Sequence, residues 1–326
     1  RNIGDGYFDA GSDTNYRDLD LIAIGPVVQE ASRVFDEYWN SAAAYPVTAF
    51  RDARGTPDDL ARLRIALARD ARAFAQSDYA QATLEEFPNG PSGDRSGEWF
   101  WGPASLIADE PGKIDTNGED PSMRIGPTLK ILLDSAARQV LLITPYFVPG
   151  DSGTRYLTGL VRRGVDVQVL TNSLAGTDEP AAFSGYEHSR RRLLEGGVQL
   201  YELRPSPGAA QPATAGGTSS GISLHAKAMI VDDAHVFIGS LNMDPRSKLL
   251  NTEMGIIVDS APLARAVKQF FDAATTAQNA YHVVLQKSRG APSGVAQMTW
   301  TWSEKGVMEN AHADPAVTGV RRLEVS

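Results

Sequence analysis

The chain has 326 residues, 42% of them hydrophobic and none of them cysteine, and a formal net charge of −9 at pH 7. This length and composition suffice for the cores of about two globular domains, and the lack of cysteine excludes disulfides, thiolate metal sites and cysteine nucleophiles. The acidic balance gives no overall field that attracts nucleic acid or anionic lipid, so any anion site must be a local basic pocket.

The first part of the chain predicts one strand and two helices. Leu19–Gly25 (LDLIAIG) has the apolar run of a strand, and Pro26–Ala42 has apolar residues at helical spacing behind a proline. A charged, Ala-rich helix is predicted between Pro57 and Glu86. Two polar segments rich in Gly and Pro then flank Trp99–Trp101, which either packs between two halves or touches lipid. The second segment is the predicted boundary between a first domain, residues 1–122, and a second, residues 123–326.

The second part alternates helices and strands, which indicates an α/β sandwich. Helix 123–138 precedes strand 139–148, and further strands are predicted at 166–172, at 198–203 and in a pair around His225. Helices are predicted near 153–163 and 186–195. Between them and the last strand pair, residues 205–221 are too polar and too rich in Gly and Pro to pack a core. This segment is either a tolerated surface insertion or a flap that gates substrate.

An internal repeat relates the start of the chain to the region after residue 240. In both, an Asn is followed by a loop, an acidic residue that opens an apolar strand, and a helix with a Phe-Asp pair. Asn2 then corresponds to Asn242, and Asp20 to Glu253. The sequence therefore predicts two similar halves. His225 precedes Asn242 by 242 − 225 = 17 positions, so its counterpart is expected to precede Asn2, outside this sequence.

The segment HAKAMIVDDAHVFIGSLN, from His225 to Asn242, carries the predicted chemistry. Side chains alternate along a strand, so His225 and Lys227 are expected to point the same way. A hairpin turn at Asp232 would bring Ser240 and Asn242 back beside them. Attack on a phosphodiester builds negative charge, which Lys227 and the donors of Ser240 and Asn242 can stabilise without a metal. Glu253, on the following strand, is expected to hold the imidazole.

This spacing, HxKxxxxDxxxxxxGSxN, is similar to the signature of the phospholipase D superfamily. Six fixed positions match by chance at roughly one in 10⁸ starts when each residue has a frequency near 5%. The resemblance implies two pseudo-symmetric α/β/α sandwich halves with one active site at their interface, and no cofactor or metal. It also implies that one His forms a phosphohistidine and the other protonates the leaving alcohol. His225 is then expected to be the general acid, with Lys227, Asp232, Ser240, Asn242 and Glu253 completing the catalytic set.

Longer segments resemble the bacterial cardiolipin synthases of the C type, among them LLITPYFVPG, VQVLTNSLAGTDEPAAFSGY and SLHAKAMIVDDAHVFIGSLNMDPRSKLLNTEMG. This resemblance implies transfer of a phosphatidyl group onto phosphatidylglycerol, with phosphatidylethanolamine or a second phosphatidylglycerol as donor. It also implies phospholipid substrates and peripheral association with the bacterial inner membrane. No nucleic-acid partner is expected, because the net charge is acidic.

Several other residues are candidates for the site. Asn2 is interpreted as the remnant of a first motif, and Asp20 as the carboxylate that holds the counterpart of His225. Tyr146 either lines the site or packs, Arg246 either binds phosphate or forms a surface ion pair, and His188 is either a surface residue or a headgroup contact. The remaining histidines are expected to be ordinary surface or turn residues: His235, His282 and His312.

Two other functions remain open. A hydrolytic phospholipase D or a nuclease would use the same motif, although a nuclease should have a basic groove that the net charge does not favour. Alternatively, the chain is a non-catalytic, lipid-binding fragment. Rescue by a second copy is not expected, because the residual first half occupies the position that the copy would need.

Overall fold

The computed structural model describes residues 2–8, 14–50, 55–77, 80–81, 99–116, 120–205, 221–287, 296–317 and 322. The segment interpreted as an insertion or flap therefore lies, from 206 to 220, outside the described residues. The described helices are α1 Val27–Trp39, α2 Pro57–Phe74, α3 Gly126–Asp134, α4 Gly150–Arg162, α5 Pro180–Glu195, α6 Pro245–Leu249 and α7 Ala261–Ala274. The described strands are β1 Thr14–Arg17, β2 Ala104–Ala108, β3 Gln139–Ile143, β4 Asp166–Asn172, β5 Gln199–Leu203, β6 Gly221–Leu224, β7 Ala228–Val231, β8 His235–Gly239, β9 Met254–Asp259, β10 Ala280–Lys287, β11 Ala296–Glu304 and β12 Val307–Ala311.

Ten of the described strands form one mixed sheet in the order β12-β11-β10-β5-β4-β3-β7-β8-β9-β2. Strands β3, β4 and β5 are parallel, and helices α4 and α5 make the crossovers between them. On either side, the strands pair antiparallel, including the β7–β8 hairpin that follows His225. The central strands carry the buried, β-branched runs that the sequence shows, such as Gln139–Ile143 with four of its five residues buried.

The sheet has a separate apolar core on each face, because successive strand residues point to opposite sides. On one face, Leu142 and Val169 pack with the apolar stripes of α3, α4 and α5. On the other face, Leu141 and Leu170 pack with Leu263, Val267 and Phe271 of α7. Each fully buried Leu, Val or Phe contributes roughly 1.5–3 kcal/mol, so these two layers stabilise the platform on which the site is built.

The N-terminal segment attaches to this platform through a short parallel pair. Strand β1 pairs with β6 in the register Thr14↔Gly221 to Arg17↔Leu224, so it ends beside His225. Helix α2 begins with a capping box between Thr56 and Asp59 and has no buried residue. Helix α1 buries only Val27 among its described residues. These two helices thus leave most of their apolar side chains exposed, among them Phe35, Trp39, Leu63 and Ile65.

The structure corrects one predicted strand. Residues 19–24 form no strand ladder; Leu19 and Leu21 instead pack along the α7 face of the core. In contrast, β2 joins the large sheet by pairing with β9, although it precedes the predicted boundary at residue 122. Glu30 of α1 accepts a hydrogen bond from the backbone N–H of Leu106 at 2.7 Å, which fastens α1 to that strand. The division at residue 122 stays a prediction.

None of the helices in the described ranges combines the length and the hydropathy that crossing a bilayer requires.

Candidate active site

His225 lies in the break between β6 and β7 rather than within a strand, which corrects the prediction of a continuous strand. The backbone N–H groups of His225 and Ala226 both donate to the carbonyl of Arg17, at 2.8 and 3.2 Å. The buried side chain of Asn172 exchanges two hydrogen bonds with the backbone of Leu224, at 2.8 and 3.0 Å. The end of β1 and the end of β4 therefore fix the backbone on which the imidazole stands.

Asp18 holds the imidazole of His225. Its Oδ2 lies 2.8 Å from Nδ1, and its side chain is only 5% exposed. Burial alone opposes ionisation of Asp18, but the hydrogen bond and charge of His225 outweigh it and lower the pKa of Asp18 to about 2. A carboxylate on Nδ1 fixes the tautomer and leaves Nε2 for chemistry.

This geometry corrects one predicted partner of His225. Glu253 does not hold the imidazole: its Oε2 accepts a hydrogen bond from Ser240 Oγ at 2.5 Å, and its backbone N–H donates to Asp109 at 2.8 Å. Asp20 is exposed, and its role beside the counterpart of His225 stays a prediction; it is Asp18, on the same face of the extended chain as Tyr16, that reaches His225. The hydroxyl of Ser240 donates to Glu253, so it is not a spare donor for a phosphate oxygen.

Lys227 is a buried ammonium within reach of several carboxylates. Its side chain is 7% exposed, and Nζ donates to the backbone carbonyl of His225. Burial lowers the pKa of Lys227 to about 8, although the charges of Asp18, Glu253 and Asp178 favour the ammonium form. Nearby, Oδ1 of Asn242 is buried and has no hydrogen-bond partner within the described residues.

Asp232 does not belong to this cluster, which corrects its predicted catalytic role. Its carboxylate lies at the opposite end of strand β7, where it accepts hydrogen bonds from the backbone N–H groups of Ala137, Arg138 and Gln139, at 2.8, 2.8 and 2.9 Å. These bonds outweigh the effect of burial and lower the pKa of Asp232. Because β7 runs from Ala228 to Val231, the hairpin places Lys227 and Asp232 at its two ends, and Asp232 closes the turn before β3.

Two tyrosines, Tyr7 and Tyr16, contact the imidazole, and hydrogen bonds link Tyr16 to Asp178 and Asp178 to Tyr146. Of these four residues, sequence reasoning identified only Tyr146. Tyr7 OH lies 3.4 Å from His225 Nε2, and the ring of Tyr7 stacks on Tyr16 at 4.5 Å. The ring of Tyr16 meets the imidazole edge-on at 5.5 Å. Tyr146 and Tyr16 both donate to the carboxylate of Asp178. Two sequence signals could have located these residues. One is the alternation of Thr14, Tyr16 and Asp18, and the other is the polar run after β4.

The remaining predicted residues take different positions. Asn2 reaches the site indirectly, since its side-chain amide donates to Tyr7 OH at 2.9 Å. Arg246 lies on α6 with an exposed side chain. His188 is exposed on α5 and bonds the carbonyl of Ser184 at 2.7 Å, as expected for a surface residue. The other histidines also lie away from His225: His235 bonds Asp259, His282 stacks on Tyr201, and His312 bonds Thr299.

The aromatic segment Trp99–Trp101 lines an apolar groove of about 410 Å³. Leu19–Ile24 form one wall, and residues of β8, β9 and α7 form the floor. Trp101 is 73% exposed, whereas Trp99 and Phe100 are half-buried. The segment therefore both packs against the platform and presents one indole to solvent.

A family described as "Cardiolipin synthase, PLD-like domain" matches residues 129–275, which include His225, Lys227, Asn242 and Glu253. The chain belongs to the phospholipase D superfamily. The predicted α/β class is confirmed by this match and by the mixed sheet with helices on both faces. The arrangement as two pseudo-symmetric halves stays a prediction.

The chain is similar to cardiolipin synthase C of Escherichia coli (strain K12). The two are 36% identical over 274 residues, which are 83% of this chain and 57% of that protein. It is 30% identical to an uncharacterized protein of Helicobacter pylori (strain J99) over 99% of this chain and 61% of that protein. The chain thus spans 57% and 61% of the length of these two relatives.

Two solved structures also resemble the chain. Phosphatidylserine synthase of Haemophilus influenzae Rd KW20 has a TM-score of 0.47 at 14% identity, covering 78% of this chain and 53% of that one. Nuc of Salmonella typhimurium, a phospholipase D family member, has a TM-score of 0.37 at 17% identity, covering 52% of this chain and 93% of that one.

Proposed function

We propose that this chain supplies one half of the active site of a phosphatidyltransferase that makes cardiolipin from phosphatidylglycerol and a second phospholipid. The observation that carries the proposal is the pairing of His225 with the buried Asp18 carboxylate beside the buried Lys227 ammonium. Similarity to cardiolipin synthase C supports phospholipids as substrates. The proposal includes peripheral association with the bacterial inner membrane.

His225 acts as the general acid in this mechanism. Its Nδ1 is engaged by Asp18, so Nε2 delivers a proton to the headgroup oxygen as the phosphorus–oxygen bond breaks. The phosphatidyl group is carried at that moment on the second histidine, which we place upstream of Asn2, as a phosphohistidine. The acceptor hydroxyl of phosphatidylglycerol then attacks phosphorus, and the phosphorus–nitrogen bond breaks, which frees the second histidine. The hydroxyl proton passes to Nε2 of His225, which restores the acid.

Lys227 stabilises the negative charge that develops on the non-bridging phosphate oxygens. Its buried position strengthens this interaction, because the low local dielectric screens it less than water would. Asp18 serves the same step indirectly, since its carboxylate stabilises the imidazolium that forms when Nε2 is protonated. Glu253 and Ser240 act as a hydrogen-bonded pair that shapes the floor beside Lys227.

The test is lipid turnover by a protein extended upstream of Asn2 with the sequence that its gene encodes. Liposomes of phosphatidylglycerol and labelled phosphatidylethanolamine would be incubated with it, and products followed by mass spectrometry. We expect labelled cardiolipin, which should vanish in His225→Ala and fall by about 10²–10⁴-fold in Asp18→Asn, as when a carboxylate that orients a catalytic His is removed.

The 326-residue chain alone is the companion sample and should be inactive. Phosphatidic acid as the sole product would make the protein a hydrolase. No turnover of any lipid by the extended protein would refute the proposal.

A further inference from the structure

A carboxylate sits beside the proposed phosphate site with no cationic side chain to neutralise it directly. Asp178 lies in the loop after β4, exposed to solvent, and in the described part of the chain it forms no ion pair. Its Oδ1 and Oδ2 accept from Tyr146 OH at 3.0 and 3.1 Å, and Oδ2 accepts from Tyr16 OH at 3.1 Å. The three residues Tyr16, Tyr146 and Asp178 are called the Asp178 subsite below.

The Asp178 subsite adjoins the catalytic imidazole. The ring centroid of Tyr16 is 5.5 Å from that of His225, so one tyrosine ring separates the Asp178 carboxylate from the imidazole. Burial and the charge of Asp178 raise the pKa of Tyr16 to about 12 and also raise the pKa of Tyr146. Both phenols therefore stay neutral donors, and the negative charge of the subsite resides on Asp178.

A negative group in this position opposes the binding of a phosphodiester whose headgroup carries no cation, because like charges at close range repel even where solvent screens them in part. The same group favours a ligand that carries a cation next to its phosphate. The exposed oxygens of Asp178 can accept from an ammonium, and the neighbouring tyrosine rings add cation–π attraction. The subsite thus distinguishes zwitterionic from anionic headgroups.

We propose that the Asp178 subsite binds the primary ammonium of a zwitterionic phospholipid headgroup whose phosphate lies at His225 and Lys227. The assignment rests on the proposed function only in placing a phospholipid phosphate at His225. It makes the ethanolamine lipid the donor that the site prefers. The anionic glycerol lipid then enters as the acceptor of the phosphatidyl group.

The test measures headgroup binding rather than turnover. The chain would be titrated at low ionic strength and pH 7 with glycerophosphoethanolamine and, separately, with glycerophosphoglycerol, and affinities measured by calorimetry. We expect the ethanolamine headgroup to bind at least fivefold more tightly. Asp178→Asn keeps acceptors for both tyrosines but removes the charge, and should reduce the preference to less than twofold. Asp178→Glu should restore most of it.

Asp134 provides a matched control, because its carboxylate also accepts from a tyrosine, Tyr156, at 2.8 Å, but at the far end of α3. Asp134→Asn should keep the full preference. An ethanolamine preference that survives Asp178→Asn, or an equal loss of both headgroups in that variant, would overturn the assignment, as would the failure of either headgroup to bind. Lipid turnover by the extended protein is a separate result, so a failed subsite and a failed function are distinguishable.

Discussion

At the scale of single residues, the site depends on the balance between burial and charge at Lys227. Removing an ammonium from water disfavours its charged form, and this effect dominates here. The carboxylates of Asp18, Glu253 and Asp178 act in the opposite direction and keep the pKa of Lys227 at about 8. Lys227 is therefore charged at neutral pH, but only by a small margin, and the anion site should be sensitive to mild alkali.

The affinity of the chain for a phosphodiester should fall as pH rises through about 8. The depressed pKa means that Lys227 is protonated below this value and neutral above it, so the attraction for the phosphate is lost on the alkaline side. Glycerophosphoglycerol is a suitable probe, because its single charge does not change over this range. We expect at least a fivefold loss between pH 7 and pH 9.5, measured by calorimetry.

Lys227→Met should abolish this pH step and bind weakly throughout. Lys130→Met is the control, since Lys130 is 60% exposed and pairs with Asp134 on α3. An affinity that stays level through pH 8 in the unaltered chain would contradict the role given to Lys227.

At the scale of secondary structure, the sequence predicts the central strands and helices well because local pattern and burial agree there. Strand β4 has the predicted bounds, Asp166–Asn172, and α7 is the predicted helix that carries the Phe-Asp pair, Phe271 and Asp272. The predicted strand at Leu19–Gly25 fails because an apolar run becomes a strand only if a ladder partner is present. Strands β10, β11 and β12 were not predicted, since their mixed polar and aromatic residues pair with each other and with β5 over long distances.

In the candidate site, too, residues of one continuous segment could be predicted, whereas contacts between segments far apart in the sequence could not. His225, Lys227 and Ser240 follow from one continuous motif, and the structure places them around one hairpin. Which carboxylate meets the imidazole depends on the pairing of β1 with β6, which the spacing of residues does not encode. For this reason the sequence assigned Glu253 to His225, whereas the partner is Asp18. The role of Asp232 was misjudged because the motif records its spacing but not the direction of its side chain.

Asp232→Ala should lower the free energy of unfolding without disturbing the anion site. The variant removes the acceptor of three backbone N–H groups at the α3–β3 connection, and we expect a loss of about 1–3 kcal/mol in urea unfolding. The affinity for glycerophosphoglycerol should change less than twofold, because Asp232 and Lys227 lie at opposite ends of β7.

Asp233→Ala isolates the contribution of the turn itself. Asp232 and Asp233 both have positive φ, 55° and 56°, but Oδ1 of Asp233 has no hydrogen-bond partner among the described residues. The backbone strain of the alanine is thus common to both variants, and the excess loss in Asp232→Ala reports the hydrogen bonds. A tenfold loss of affinity in Asp232→Ala at unchanged stability would restore its catalytic role.

At the scale of the whole molecule, the described chain consists of a well-packed sheet platform and an N-terminal segment that buries few of its apolar side chains. A buried polar network joins the last strands to this platform. Arg190 of α5 pairs with Glu202 of β5 at 2.9 Å and with Asp314 at 2.7 Å, and Trp300 of β11 donates to Glu202 at 2.9 Å. Arg190 and Glu202 are 1% and 0% exposed, so each charge depends on the other.

Arg190→Met should destabilise the chain by about 3–5 kcal/mol, because it leaves the Glu202 carboxylate buried without its counter-charge. Burial raises the pKa of Glu202, so the folded state takes up a proton more readily than the unfolded state. The loss of unfolding free energy caused by Arg190→Met should therefore become smaller as pH falls, since protonation neutralises the buried Glu202 carboxyl. Urea unfolding at pH 7.5 and pH 5 checks both statements.

Arg192→Met on the same helix is the control. Arg192 and its partner Asp151 are 49% and 68% exposed, and such a surface pair contributes only about 0–1 kcal/mol. A comparable loss in both variants would show that the buried network has no special role in fastening β11.

The pairing of β1 with β6 also has a consequence for how the site is assembled during synthesis. Asp18 and His225 are 207 positions apart, so Asp18 is synthesised long before His225 and can pair with it only when most of the chain has been made. Closing so long a loop carries an entropic cost that only the finished platform can offset. The contact rests on a four-residue strand, and such short outer elements open more readily than a central sheet. The contact between Asp18 and His225 is then expected to be the last part of the site to form on folding and the first to be lost on heating, while the large sheet remains intact.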